Sequence, residues 1–312
     1  MSPRPIILDC DPGQDDAMAI LLALASRQEI DLLGITVVAG NVPLELTQTN
    51  ARKICELARR TDMPVFAGCS RPILRKLVTA EYVHGKTGLD GTDLPAPTMP
   101  LQEAHAVDFI VDTVMAQPKG AVTLCPIGPL TNVALAMVKQ PAIIPRLKEI
   151  VLMGGAMAEG NTTPAAEFNI YVDPHAARVV FESGVPITML GLDVTHQALV
   201  TEERLAAVRD LDTPVTKAVV GLLDFFNRYD RERYAIPGAP LHDPCVIAYL
   251  LKPELFDGRE CHVAVETESE LTMGATLVDW WGLHGKGTTA RVINAVDADG
   301  FFDLLTERLG TL

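Results

Sequence analysis

Ile6-Ile7-Leu8-Asp9-Cys10-Asp11-Pro12-Gly13-Gln14-Asp15-Asp16-Ala17-Met18-Ala19-Ile20-Leu21-Leu22 is the stretch on which the reading of this chain turns. Three apolar residues lead into four carboxylates within eight positions, and a second apolar run follows. That order is a strand, a tight turn and a helix. Like charges in one turn repel, so the turn is either fully solvated or neutralised by a cation. The buried-looking flanks favour the cation, and an all-oxygen donor set favours a hard ion such as Ca²⁺ or Mg²⁺. One Asp at 15 or 16 would need only a helix N-terminus to complement; four acids in the turn ask for more.

Outward from this turn, short apolar runs alternate with amphipathic segments. Strands are expected at 6–8, 32–38, 65–67, 122–124, 150–153 and 187–190, and helices at 46–60, 131–139 and 173–183. The last helix is opened by Asp173-Pro174, with Gly184 just past its end. This alternation predicts an α/β protein with a largely parallel central sheet covered by helices on both faces. Past about residue 260 the pattern becomes more alternating, at 262–266, 276–280 and 290–296, as in an antiparallel ribbon. A final helix at 300–309 ends at Gly310. The expectation is one domain, 1–312, with a β-rich C-terminal addition.

The 312 residues are 48% hydrophobic and 21% charged, enough for a large core. A net charge of −14 and a pI near 4.9 give no electrostatic reason to bind nucleic acid or an anionic membrane. The six cysteines, at 10, 55, 69, 125, 245 and 261, form no C-x-x-C pair. They read as reduced core residues of a cytoplasmic protein. No signal peptide is expected ahead of the first strand. The apolar run at 17–25 is too short to span a bilayer.

Other motifs fail. Gly85-Lys86-Thr87 has Ala80 where a P-loop needs glycine, and Gly285-Lys286 is followed by Gly287. No Gly-x-Ser-x-Gly elbow occurs among the five serines, and there is no His-Glu-x-x-His. Asp9-x-Asp11 after a strand is similar to the aspartate-nucleophile phosphatases, which carry their other acidic pair after a later strand.

In open α/β sheets, ligands bind beyond the carboxyl ends of the strands. Polar residues gather at such ends: 9–16, Gly40-Asn41, 126–132, Gly154-Gly155 with Asn161 beyond, and Asp193. Glu167 and Asn169 stand two apart before Ile170-Tyr171-Val172, where strand alternation would point both the same way. Asp243 precedes Pro244 and an apolar helix, and alone it reads most simply as an N-cap.

The segment Asp9-Cys10-Asp11-Pro12-Gly13-Gln14-Asp15-Asp16-Ala17 resembles the signature of the inosine-uridine preferring nucleoside hydrolase family. Val37-Val38-Ala39-Gly40-Asn41, Val83-His84-Gly85, Val151-Leu152-Met153-Gly154-Gly155, Ala165-Ala166-Glu167-Phe168-Asn169, Gly191-Leu192-Asp193-Val194-Thr195-His196 and His242-Asp243-Pro244 resemble further family blocks in family order. Loops at 89–91 and 238–243 are most similar to the bacterial pyrimidine-preferring ribonucleoside hydrolases.

The resemblance implies the nucleoside hydrolase fold, with a Rossmann-like core. It also implies calcium-dependent hydrolysis of the N-glycosidic bond of ribonucleosides, for salvage or catabolism, by a homotetramer or homodimer. It implies Asp11, Asp16, Asp243 and the Ile127 carbonyl as calcium ligands, although the family more often has a polar residue at 127. Asp11 is implied as the base that takes a proton from water, because Ca²⁺ is too weak a Lewis acid to deliver hydroxide unaided. Asp15, Asn41, Asn161, Glu167 and Asn169 are implied as ribose contacts. His84, Met153, Phe168, Tyr229, Arg233 and Tyr234 are implied as further substrate contacts, and His242 as the acid toward a leaving purine. Asp9 is left with a supporting role. The glycine-rich stretch 85–91 could order on substrate binding. Two rivals stay open: an idle nucleoside- or ribose-binding protein, and a phosphatase using Asp9 as nucleophile.

Overall fold

The computed structural model describes residues 2–234 and 236–312. Its strands are β1 (Arg4–Cys10), β2 (Ile30–Val37), β3 (Val65–Ala67), β4 (Thr123–Pro126), β5 (Glu149–Met153), β6 (Ile187–Leu190), β7 (Phe256–Val265), β8 (Thr276–Asp279) and β9 (Ala290–Val296). They make one sheet in the order β3-β2-β1-β4-β5-β6-β9-β7-β8. Every pairing from β3 across to β9 is parallel, and β7 runs antiparallel to both β9 and β8.

The helices are α1 (Gln14–Ala25), α2 (Leu44–Leu57), α3 (Glu81–His84), α4 (Ala106–Ala116), α5 (Thr131–Lys139), α6 (Phe168–Val172), α7 (Pro174–Phe181), α8 (Leu192–Thr195), α9 (Glu202–Arg209), α10 (Pro214–Tyr234), α11 (Pro244–Leu251) and α12 (Ala298–Leu309). Alternation along β1 divides the core between the two faces of the sheet. Ile6, Leu8 and Cys10 join the side chains of α1, α2, α11 and α12, whereas Ile7 joins those of α4, α5 and α7. From Gln14 to Leu24 every residue of α1 is buried. That is why its sequence is apolar all round instead of striped. Each buried leucine there contributes about 1.5–3 kcal/mol of transfer free energy.

The β-rich C-terminal addition extends the same sheet. β9 lies parallel beside β6, with Met189 opposite Val292, and carries the β7–β8 ribbon as the sheet's outer margin. Glu167 and Asn169, which strand alternation would point the same way, instead stand at the start of the helix α6. Glu167 is its N-cap, accepting from the N–H groups of Asn169 and Ile170.

From β1 the chain winds outward through β2 to β3, then returns to place β4 on the other side of β1. The carboxyl ends of β1 and β4 therefore flank the point where the winding reverses, the usual crevice of a doubly wound sheet. The acidic turn leaves one side of that crevice, and the segment carrying Ile127 leaves the other.

Candidate active site

Asp11 occupies the crevice under close backbone cover. A Cβ at Gly40 would stand 2.0 Å from its Oδ2, and one at Gly128 would stand 2.5 Å from its Oδ1. Glycine at the ends of β2 and β4 is thus required by the close approach of backbone to carboxylate. The Asn41 N–H donates to Asp11 Oδ2 at 2.7 Å, and Asn41 Nδ2 donates to Asp11 O and Asp16 Oδ2, each at 3.1 Å.

Asp16, in the first turn of α1, folds back on the turn that leads into it. Its Oδ1 accepts from the Asp11 N–H at 3.0 Å and its Oδ2 from the Gly13 N–H at 2.9 Å. Asp243 stands at the N-cap position of α11, yet its side chain makes no capping hydrogen bond. It instead meets the acidic turn: carboxylate oxygens of Asp15, Asp16 and Asp243 lie within 4.8 Å of one another, all buried. The N-cap expectation holds for the position and fails for the side chain.

Burial raises the carboxyls of Asp11, Asp15, Asp16 and Asp243 above the usual carboxylate range, that of Asp15 to about 8. Repulsion adds to the rise: Asp16 acts on Asp11 and Asp15, and Asp15 on Asp243. Asp15 Oδ1 is buried and has no hydrogen-bond partner among the described residues.

Asp9 points away from this cluster. Its Oδ1 accepts from Thr36 Oγ1 at 2.6 Å and from Asn132 Nδ2 at 2.8 Å, and burial pushes its carboxyl up to about 7. It thereby ties β1 to β2 and α5.

Above the trio opens a cavity of about 390 Å³, large enough for a small organic ligand. Its walls include Asp15, Asn41, His84, Ile127, Met153, Asn161, Glu167, Phe168, Asn169, Tyr229, His242 and Asp243. Glu167 accepts three backbone N–H groups, from Gly155, Asn169 and Ile170 at 2.9, 2.8 and 3.1 Å, while burial pushes its carboxyl up to about 7. Asn169 Nδ2 donates to the Ile127 carbonyl at 2.9 Å and to Met153 O at 3.2 Å. Asn161 accepts the Phe168 N–H at 2.9 Å. His242 Nδ1 pairs with Thr195 Oγ1 at 2.7 Å, and burial holds its imidazole well below the usual histidine range.

The sequence matches the family model described as "Inosine-uridine preferring nucleoside hydrolase" over residues 6–303. This chain belongs to that family. Among the relatives of this nucleoside hydrolase is a pyrimidine-specific ribonucleoside hydrolase RihA of Shewanella sp. (strain MR-4), 51% identical over 307 residues, covering 98% of this chain and 96% of that protein. Similar solved structures include a purine-preferring ribonucleoside hydrolase from Gardnerella vaginalis, with TM-score 0.92, 34% identity and 98% of each chain covered. Another is the plant nucleoside hydrolase PpNRh1, with TM-score 0.91, 33% identity, and 98% of this chain and 99% of that chain covered.

In this nucleoside hydrolase most of the expected site residues meet at one cavity. Asp11 and Asp16, both buried, and Arg233, exposed on α10, are not among the cavity's lining residues. The side chain of Tyr234 lies outside the described residues. Sequence reasoning missed Tyr82, His196 and Phe226, which also line the cavity. Phe226 could have been found, because it stands three positions before Tyr229 on the same helix face. His196 closes the block that begins at Gly191. The stretch 85–91 is tied down: Gln14 Nε2 donates to Asp90 O at 3.0 Å and Asn50 Nδ2 to Thr87 O at 2.7 Å. No described helix is long and apolar enough to cross a membrane.

Proposed function

We propose that this nucleoside hydrolase cleaves the N-glycosidic bond of the pyrimidine ribonucleosides uridine and cytidine, with inosine as a further substrate, in a calcium-dependent reaction serving nucleoside salvage or catabolism. The observation that carries this reading is the meeting of Asp15, Asp16 and Asp243 within 4.8 Å beneath the cavity. Identity of 51% to a relative named pyrimidine-specific supports the choice of base.

The residues fit a hard divalent cation. The donors are all oxygen, they are buried, and Asp15 Oδ1 is left without a partner among the described residues. Asp16 and Asp243 of this trio would hold the ion, joined by Asp11 and the carbonyl of Ile127 from outside it, and the carbonyl keeps a lone pair beside its bond from Asn169. Bound Ca²⁺ would offset the crowded negative charge and gather ribose hydroxyls and a water as oxygen ligands.

Asp11 takes the proton of the attacking water. The Asn41 N–H on its Oδ2 favours the charged, accepting form. Asp15, Asn41, Asn161, Glu167 and Asn169 orient the ribose, and the acids among them face the positive charge that develops on its ring. As the C1′–N bond breaks, its electron pair passes into the base, where the ring delocalises it; His242, buried and neutral at rest, takes up a proton before passing one to a leaving purine. His84, Met153, Phe168 and Tyr229, which line the cavity, contact the nucleoside around this point. Residues 1–312 form one cytoplasmic hydrolase domain in this reading, assembled as a homotetramer or homodimer.

Incubation with uridine, cytidine and inosine tests the proposal. Ribose release is expected, lost in strong chelator and restored by Ca²⁺. Intact nucleosides at saturating Ca²⁺ overturn it. Tight uridine binding without turnover would make the chain a binding protein, and phosphate release from a nucleotide with a trapped aspartyl-phosphate would make it a phosphatase.

A further inference from the structure

Gln14, between the glycine and the paired acids of the turn, has no part in the reaction just described, yet its side chain is buried and fully used. Its Nε2 donates to two carbonyls, His84 O and Asp90 O, each at 3.0 Å. An amide nitrogen has two hydrogens, so both are spent. The reverse amide orientation would set an oxygen against two carbonyl oxygens. Gln14 Oε1 is therefore fixed as an acceptor, and it lies 2.7 Å from His84 Nδ1.

An acceptor on Nδ1 forces that nitrogen to carry the proton. Burial holds the His84 imidazole down to about 3, so the ring is neutral, and a neutral ring with its hydrogen on Nδ1 has a bare lone pair on Nε2. The edge bearing Nδ1 and Cε1 lies against Gly13, where a Cβ would come within 2.4 Å of Nδ1. The ring stacks on Phe226 with centroids 5.6 Å apart, and His84 lines the cavity. Among the described residues no hydrogen-bond partner meets Nε2. His242 differs, because its Nδ1 faces a hydroxyl that can either give or accept.

We infer that Gln14 is a positioning residue that locks His84 as a hydrogen-bond acceptor toward the nucleobase, so that this side of the cavity reads an N–H on the base and cannot supply a proton to it. The inference rests on the proposed nucleoside site. An acceptor draws no electron density from a departing base. Its effect therefore falls on binding, and leaving-group protonation is left to His242.

Nitrogen-15 NMR of the histidine rings in the calcium-loaded wild-type protein tests the tautomer without reference to turnover. His84 assigned by His84→Asn is expected as the Nδ1–H form; an Nε2–H form overturns the inference. In kinetics, Gln14→Leu is expected to raise KM for uridine about tenfold, with kcat changed much less. An aryl riboside, whose leaving group offers no N–H, should lose at least several-fold less. His84→Asn should raise KM for uridine similarly, and the double variant Gln14→Leu/His84→Asn should be no worse than His84→Asn alone. Additive losses, or equal losses on both substrates, overturn the inference. If Gln14→Leu does not fold, the wild-type tautomer and the His84→Asn kinetics still decide. Failure of all nucleosides to react with the expected tautomer intact would sink the hydrolase reading and leave the Gln14–His84 lock standing.

Discussion

Asn41 holds Asp11 and Asp16 at once, its backbone N–H on Asp11 Oδ2 and its side-chain amide on Asp16 Oδ2. The candidate base and a candidate metal ligand are thus registered against each other by one residue at the end of β2. Asp11→Asn keeps an acceptor for the Asn41 N–H and removes the basic oxygen. Ribose release should fall by about 10²–10⁴-fold, with the thermal midpoint of unfolding nearly unchanged. A variant retaining wild-type kcat would remove Asp11 from the chemistry.

Calcium should stabilise the fold, because an ion that binds only the native cluster shifts unfolding by mass action. At a hundredfold excess over Kd the gain is about 2.7 kcal/mol. Asp243→Asn should abolish that gain. Its chelator-treated form should be no less stable than chelator-treated wild type, since the substitution removes one of several crowded, buried acids. Scanning calorimetry with and without chelator measures both, and calcium stabilisation that survives in the variant would contradict the ligand assignment.

Glu167 makes a pH prediction. Its carboxyl is raised from 4.5 to about 7 by burial, so the folded state holds the proton more tightly than the unfolded state. The sign follows: the contribution to stability is largest below about pH 4.5 and is lost as pH rises toward 7. Over that span the loss is about 3 kcal/mol. Glu167→Gln should flatten the stability profile between pH 4.5 and 7 by that order. Denaturant titrations at several pH values with calcium held saturating would show it; an unchanged profile would mean that Glu167 folds in ionised.

Thr195→Val takes away the hydroxyl 2.7 Å from His242 Nδ1. The imidazole then loses the group that orients it, at a stability cost of about 1–3 kcal/mol. For inosine, kcat should drop about tenfold with KM little changed, and uridine should suffer less, since a leaving purine has more need of a proton. Parallel steady-state assays on the two nucleosides decide this, and equal losses would deny His242 a purine-directed role.

Much of this was legible in the sequence because the strand ends carry it. The strand at 65–67, the one at 187–190 and the helix at 131–139 have the bounds expected from hydrophobic runs and caps. Asp11, Asp15 and Asp16 were legible because four acids in one turn cannot be buried without compensation. Asp243 was legible only through family resemblance, since its local pattern is that of an N-cap before proline and its partners lie at the other end of the chain. The α6 segment misled for a local reason. Phe-Asn-Ile-Tyr-Val has strand propensity, but the Glu167 cap and tertiary burial override it. The two-acceptor demand on Gln14 left no trace in the sequence, because the carbonyls belong to the end of α3 and to the loop after it, some seventy residues on.

Asp243 also dates the site within the life of the chain. A ribosome delivers Asp11, Asp15 and Asp16 almost at once, but α11, which brings the last carboxylate, comes after six strands of the sheet have been made. The early strands and α1 must therefore collapse around their acids without a complete cation site to help them. If the proposed calcium site is right, ion capture would mark the end of folding instead of guiding its beginning, and a nascent chain truncated before α11 should pass through its stages indifferent to the ion.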